Sequence, residues 1–166
     1  MSHQQLSIEV VGSLLTYCSD TGMFTWKEKP AVGVSVGSQA GSISRTGYRR
    51  IRIRGKGYQA HRLAWLLVKG VWPEGHIDHI NGDRMDNRIS NLRQVTCQQN
   101  AENRRSPSAS NKSGYLGVSW CATDKKWKAQ IFSRGKCKSL GRFDSAEIAH
   151  QAYLSAKRAI HEGCTI

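Results

Sequence analysis

Residues 77–100 constrain the fold most. A short apolar run, Ile77–Asp78–His79–Ile80, meets Asn81–Gly82–Asp83, residues that turn a chain because their side chains bond their own backbone or tolerate left-handed torsions. A second run, Leu92–Val95, follows a polar stretch containing Asn87 and Asn91. Thr96–Cys97–Gln98–Gln99 then has the Ser/Thr-x-x-Glu/Gln spacing of a capping box, in which hydroxyl and amide satisfy two donors at a helix start. The spacing predicts strand, loop, strand and helix, with Asn100 about one turn into the helix and Asn103 and Arg104 on the same face.

Upstream, Tyr48–Arg54 alternates: Arg50, Arg52 and Arg54 fall on one side, Ile51 and Ile53 on the other, as in a half-buried strand. Gly55–Lys56–Gly57 turns it toward a partner at Tyr58–Gln59–Ala60. The three arginines fit two roles, a charged edge that discourages aggregation or contacts to phosphates. Leu63, Leu66 and Leu67 have helical spacing over residues 61–69, closed by Gly70 and Pro73. His61, at the start of that helix, reads as a structural, hydrogen-bonded histidine more readily than as a catalytic one. Earlier still, Asp20–Thr21–Gly22 separates Leu14–Tyr17 from Met23–Trp26, a hairpin or a helix end followed by a strand. Residues 30–47 read as loop and residues 1–13 as weakly ordered or a short helical lead-in.

Arg104–Lys112 is polar, contains Pro107 and lacks an apolar period, so it reads as a linker. This divides the chain into 1–105, a linker over 106–112, and 113–166. In the last part, strands are expected over Gly114–Trp120, Lys126–Phe132 and Lys136–Leu140. A helix follows, capped by Asp144, with Ala149, Ala152, Tyr153, Ala156 and Ile160 as its apolar stripe and Gly163 as its stop. The fold class is α+β: a strand–strand–helix unit with an N-terminal β-rich extension, then a small three-stranded antiparallel sheet with one helix.

Lys and Arg total 25 against 12 Asp and Glu, a net charge of +13 that favours a polyanionic partner. No apolar run approaches the roughly 20 residues that span a bilayer. Met1–Gln5 lacks the charged-then-apolar pattern of a signal peptide, so a cytoplasmic location is expected. The cysteines at 18, 97, 121, 137 and 164 are odd in number and form no C-x-x-C pair, which disfavours a zinc knuckle or a disulfide framework.

The polar residues of the strand–loop–strand–helix suit phosphodiester hydrolysis, which needs an activated water and neutralisation of developing charge. His79 is the candidate general base, since an imidazole with an ordinary pKa near 6.5 is largely neutral at pH 7. Asp78 offers a carboxylate oxygen and Asn100 an amide oxygen to one hard divalent ion, Mg²⁺ or Mn²⁺. Arg88 and Arg93 could clamp a phosphate or pair with loop carboxylates. Asn81, Asn87 and Asn91 also fit simple turn formation.

Residues 61–104 resemble the HNH endonuclease family of phage and homing type. The resemblance rests on His61–Arg62–Leu63–Ala64–Trp65, Ile77–Asp83, Asp86–Asn87–Arg88, Asn91–Leu92–Arg93, and Thr96 with Gln99–Asn100. It implies a ββα-metal (His-Me) finger that leaves 3′-hydroxyl and 5′-phosphate ends. It also implies His79 as base, Asp78 and Asn100 on the metal, and Asn91 orienting His79. The third motif position is often histidine in that family and is Asn100 here.

Residues 113–163 resemble the plant ethylene-response-factor (APETALA-type) DNA-binding domain through Ser113–Gly114–Tyr115, Gly117–Val118, Trp127–Ile131, Leu140–Asp144, and Glu147, Ala149, Ala152 and Tyr153. That family docks a three-stranded sheet in the major groove; Leu116, Phe132 and Ser139 depart from its usual contact residues. Lys128, Gln130, Lys136, Lys138 and Arg142 are then candidate DNA contacts, together with Arg104, Arg50, Arg52 and Arg54. The lysines suit phosphates, and Gln130 and Arg142 suit base edges. The expected function is a metal-dependent endonuclease on double-stranded DNA, nicking or cutting both strands. The alternative is a non-catalytic DNA-binding regulator with a degenerate finger.

Overall fold

A computed structural model describes residues 6–161, 164 and 165; the expected stop at Gly163 and the Met1–Gln5 stretch lie outside these. The fold is α+β, and the chain forms two compact units, Met1–Val95 and Thr96–Ile166.

In the first unit, helix α1 (Ile8–Leu14) is capped by Ser7 and gives way directly to β1 (Leu15–Tyr17), so the lead-in is helical. Strand β1 pairs antiparallel with β2 (Phe24–Trp26) across the Asp20–Gly22 turn. Within the stretch expected to be loop, β3 (Ser42–Ile43) adds to β4 (Arg49–Ile53), which pairs with β5 (Lys56–Gln59). The β4–β5 turn is built on Arg54 and Gly55, with φ of 48° and 78°. Two successive positive φ values match the type I′ turn that follows strand twist. Arg54 therefore leaves the strand, and only Arg50 and Arg52 share its outer face. Arg50 lies flat across Gly57, where a Cβ would come within 2.1 Å of the guanidinium Nε. Ile51 and Ile53 point inward and are buried.

Helix α2 (Ala60–Lys69) ends at Gly70 in the left-handed region (φ 78°), as the sequence predicts. Its buried Ala60, Leu63, Ala64 and Leu66 join Val11, Leu15, Phe24, Trp26, Ile51, Ile53, Ile77 and Leu92 in one core. Strand β6 (His76–His79) pairs antiparallel with β7 (Leu92–Val95), setting Asp78 opposite Arg93 and His79 opposite Leu92. A 3-10 turn over Ile89–Asn91 closes the intervening loop.

In the second unit, α3 (Cys97–Glu102) has both halves of the capping box between Thr96 and Gln99. The helix ends at Glu102, so Arg104 lies past its C-cap, Asn103, and does not share a helical face with Asn100. Strands β8 (Val118–Cys121), β9 (Lys126–Ser133) and β10 (Lys136–Phe143) form an antiparallel sheet with β9 central. Strand β8 starts at Val118 because Asn111 and Ser113 bond the backbone of Ser113, Tyr115 and Val118 into turns. Strand β10 runs on to Phe143 through a register shift between Ser139 and Gly141.

Helix α4 (Ala146–Ile160) is capped by Ser145, whose hydroxyl accepts from the Ile148 amide. Asp144, the expected cap, instead pairs with Lys126 at 3.1 Å. Ala146, Ala149 and Tyr153 are buried, with Ala146 and Ala149 packing on Val118 and Ala129. Tyr153 covers Gly117 so closely that a Cβ there would meet its ring at 2.0 Å. Lys157, fully buried, breaks the apolar stripe; its ammonium donates to the Arg104 carbonyl, and burial lowers its pKa. Among the described residues no helix is long and apolar enough to cross a membrane.

Candidate active site

Strand β6 delivers Asp78 and His79 as neighbours, and successive strand residues point to opposite faces. The two side chains therefore leave β6 on different sides. Asp78 meets Arg93 across the ribbon, with Nε and Nη2 donating to Oδ2 at 3.0 and 2.9 Å. Of the two roles open to Arg93, the structure shows the ion pair. Arg88 likewise pairs with Asp86, at 2.8 Å to Oδ1 and 2.6 Å to Oδ2.

His79 is 3 % exposed. Its ring lies 5.2 Å from the His61 ring, edge-on, and 5.8 Å from Tyr48. Its Nε2 stands 3.4 Å from Asn87 Oδ1. Burial lowers the His79 pKa, while the Asn87 bond and the carboxylates of Asp78, Asp83 and Asp86 act the other way. A lowered pKa keeps the imidazole neutral at pH 7, the state in which it can take a proton.

The side chain that meets His79 is thus Asn87 rather than Asn91. Asn87 is 1 % exposed. Its amide donates to the Met85 carbonyl, and its own carbonyl accepts the Tyr17 hydroxyl at 2.8 Å. Gly22 (φ 71°) presses on the same backbone, where a Cβ would come within 2.5 Å of the Arg88 nitrogen. The N-terminal hairpin thereby fixes the residue facing His79.

Asn91 organises the loop instead. Its Oδ1 accepts from the Asn81 amide, and its Nδ2 donates to Asn81 Oδ1 and the Asp86 carbonyl, all within 3.0 Å. Asn81 in turn donates to Asp86 Oδ2 at 2.8 Å. These bonds, led by the Arg88 fork, hold the Asp86 pKa at about 2. A carboxyl lowered from its unfolded value contributes stability that is present above about pH 4 and lost as pH falls through about 2. With Arg88 half exposed, solvent screening trims the contribution to about 1 kcal/mol. Asp86→Asn should cost that much at pH 7 in chemical denaturation, and the gap to wild type should close between pH 4 and pH 2.

His61 is buried at the start of α2, flanked by the Tyr48 ring at 5.2 Å. The hydrogen bond expected of it is not seen at Nδ1, which has no partner among the described residues. Burial, reinforced by His79 and Arg62, pushes its pKa to about 3. Sequence reasoning left Tyr48 unassigned; its place after the Gly47 turn was the available signal.

Asn100 lies in α3, in the second unit, exposed, with its backbone amide on the Thr96 carbonyl. In that unit's sheet, Lys128 pairs with Ser119 and Arg142, and Gln130 with Ser139, which puts Lys128, Gln130 and Arg142 on one face. Lys136 and Lys138 sit opposite Ser133 and Ile131, on the other face. Arg142 pairs with Asp124 at 2.8 Å. Phe132 stands 65 % exposed on the Gln130 side.

A family model described as HNH endonuclease matches residues 58–102. Protein 3.8 of Escherichia phage T7 is 30 % identical over 107 residues, covering 64 % of this chain and 87 % of that protein. An uncharacterized HNH endonuclease of Acanthamoeba polyphaga mimivirus is 32 % identical over 97 residues, covering 57 % of this chain and 49 % of its own length. A solved structure described as "DNA binding and cleavage by the HNH homing endonuclease I-HmuI" aligns over 95 % of this chain and 93 % of that one, at 23 % identity and a TM-score of 0.46.

Proposed function

Because the chain belongs to the HNH endonuclease family, we propose that it is a metal-dependent endonuclease that binds double-stranded DNA and hydrolyses a phosphodiester bond, in the manner of phage and homing enzymes. The observation that carries this reading is the ordered set Asp78–His79, Asn91 and Asn100 on successive strand, loop and helix, inside the matched segment. The phage relative supports action in a bacterial host's cytoplasm.

In this reading His79, kept neutral by burial, takes the proton of the attacking water. Asn87 holds the imidazole through Nε2, leaving Nδ1 for that water. Asn91 acts through the loop, fixing the turn that carries Asn87. Asp78 and Asn100, by their positions in the motif, would hold the metal. Both offer oxygen and neither offers sulfur, a donor set that fits a hard ion such as Mg²⁺ or Mn²⁺ and not a thiolate-bound zinc. When bound, such an ion neutralises charge developing on the phosphate.

A working finger needs α3 with β6 and β7, so residues 1–105 are assigned as the nuclease domain, 106–112 as the linker and 113–166 as a DNA-docking module of ethylene-response-factor type. Lys128, Gln130 and Arg142 share the face assigned to DNA. Lys136 and Lys138, on the other face of that sheet, and Arg104, Arg50, Arg52 and Arg54 are assigned as further phosphate contacts on charge alone.

Supercoiled plasmid, incubated with the protein and Mg²⁺ or Mn²⁺, should become open-circular, and excess EDTA should stop the conversion. Binding to duplex DNA without metal-dependent nicking would favour the regulator.

A further inference from the structure

Phosphoryl chemistry needs a cation to steady the phosphate beside the base, and three arginines stand in or next to the motif loop: Arg84, Arg88 and Arg93. Two are already neutralised, Arg88 by Asp86 and Arg93 by Asp78. Arg84 differs. Among the described residues it meets no carboxylate, yet it is held in place. Its Nη1 donates to the Thr46 carbonyl at 2.6 Å, and its guanidinium carbon lies 4.9 Å from the centre of the Tyr48 ring.

That ring is the same one that packs 5.8 Å from His79 and 5.2 Å from His61. The arrangement is a row of exposed guanidinium, tyrosine and buried histidine, with the Tyr48 and His79 rings tilted by 43°. The neighbouring turn is carried by Gly47 (φ 80°), where an added Cβ would make only an ordinary 3.6 Å contact with Arg84 Cδ. An arginine whose orientation is fixed by a carbonyl and an aromatic face, but whose charge is unmatched, is preorganised for an anion.

We propose that Arg84 grips the phosphodiester being cut, placed one aromatic ring away from His79 by Tyr48. The proposal deepens the nuclease reading and rests on it for the identity of the anion. Arg84 would touch substrate, whereas Tyr48 would act as a positioning residue.

The test compares Arg84→Gln and Arg84→Lys with wild type. Glutamine keeps a donor for Thr46 and loses the charge; lysine keeps the charge and loses the fork. Both changes lie on the surface, and an unchanged thermal midpoint verifies the fold. Binding of a duplex oligonucleotide is followed by fluorescence anisotropy across KCl concentrations, in EDTA. Losing one phosphate contact lowers the slope of log affinity against log salt by about one. Arg84→Gln should show that loss and Arg84→Lys should not.

In single-turnover nicking with the DNA fully bound, Arg84→Gln should be at least about tenfold slower, with Arg84→Lys between it and wild type. An unchanged salt slope overturns the proposal. A lowered slope with an unchanged nicking rate also overturns it, because the contact is then to a flanking phosphate. Failure of the nuclease reading looks different: wild type itself does not nick, and the slope alone then decides whether Arg84 holds phosphate.

Discussion

His79→Ala should slow single-turnover nicking by about 10² to 10⁴-fold while leaving duplex affinity within a few-fold of wild type, the range by which a positioned general base accelerates proton transfer. The asymmetry follows from the site. His79 is almost wholly enclosed by Tyr48, His61 and Asn87, so it offers DNA little surface and its removal subtracts little binding. What it would subtract is a neutral imidazole beside the attacking water. Nicking rates measured with saturating DNA and Mg²⁺, beside gel-shift affinities in EDTA, check both halves. If the variant nicks at a rate comparable to wild type, another group activates the water and the role given to His79 is lost. If rate and affinity fall together with the thermal midpoint, the imidazole is needed to pack Tyr48 and His61 and the catalytic claim lacks support. His79→Gln, which refills most of the space, then replaces alanine in the rate comparison.

Local grammar made much of this site legible. The capping box at Thr96 and Gln99, the glycine stop at Gly70 and the alternation of Ile51 and Ile53 are set by neighbours a few residues away, and each forms as the spacing predicts. Choices between neighbouring residues, and those made by partners distant in sequence, were not legible. Arg54 alternates in sequence with Arg50 and Arg52, but a two-residue turn with positive φ claims it. Ser145 rather than Asp144 caps α4, and Asp144 pairs with Lys126 from β9.

The same limit applied around His79. An asparagine-rich loop reads as turn formers, and nothing local says which amide reaches the imidazole. That choice is made by Tyr17 and Gly22, both far upstream, which brace the backbone of Asn87 and leave Asn91 to tie the loop. The sequence points to Arg88 and Arg93 as phosphate clamps and does not single out Arg84; Asp86 and Asp78, which pair with the first two, are what set Arg84 apart.

His61→Phe should remove much of the acid sensitivity of the fold. In the unfolded chain the imidazole titrates near its ordinary value of about 6.5; in the folded chain burial holds it at about 3. Above pH 6.5 both states carry a neutral ring and the residue adds no pH dependence. Below it the unfolded state takes up a proton that the folded state refuses, so stability falls as pH falls, by about 1.4 kcal/mol per pH unit, until about pH 3. Phenylalanine fills a similar volume against Tyr48 and His79, leaves no buried Nδ1 without a partner, and cannot be protonated. Any packing difference appears as a constant offset between the two proteins at pH 7.5. The pH-dependent part is separate: from pH 6.5 to 4.5 the variant should gain roughly 2–3 kcal/mol on wild type. Urea denaturation at half-unit pH steps reads that divergence directly. Parallel stability curves over that window would mean that His61 is protonated within the folded protein, and that the ring beside His79 is solvated rather than sealed.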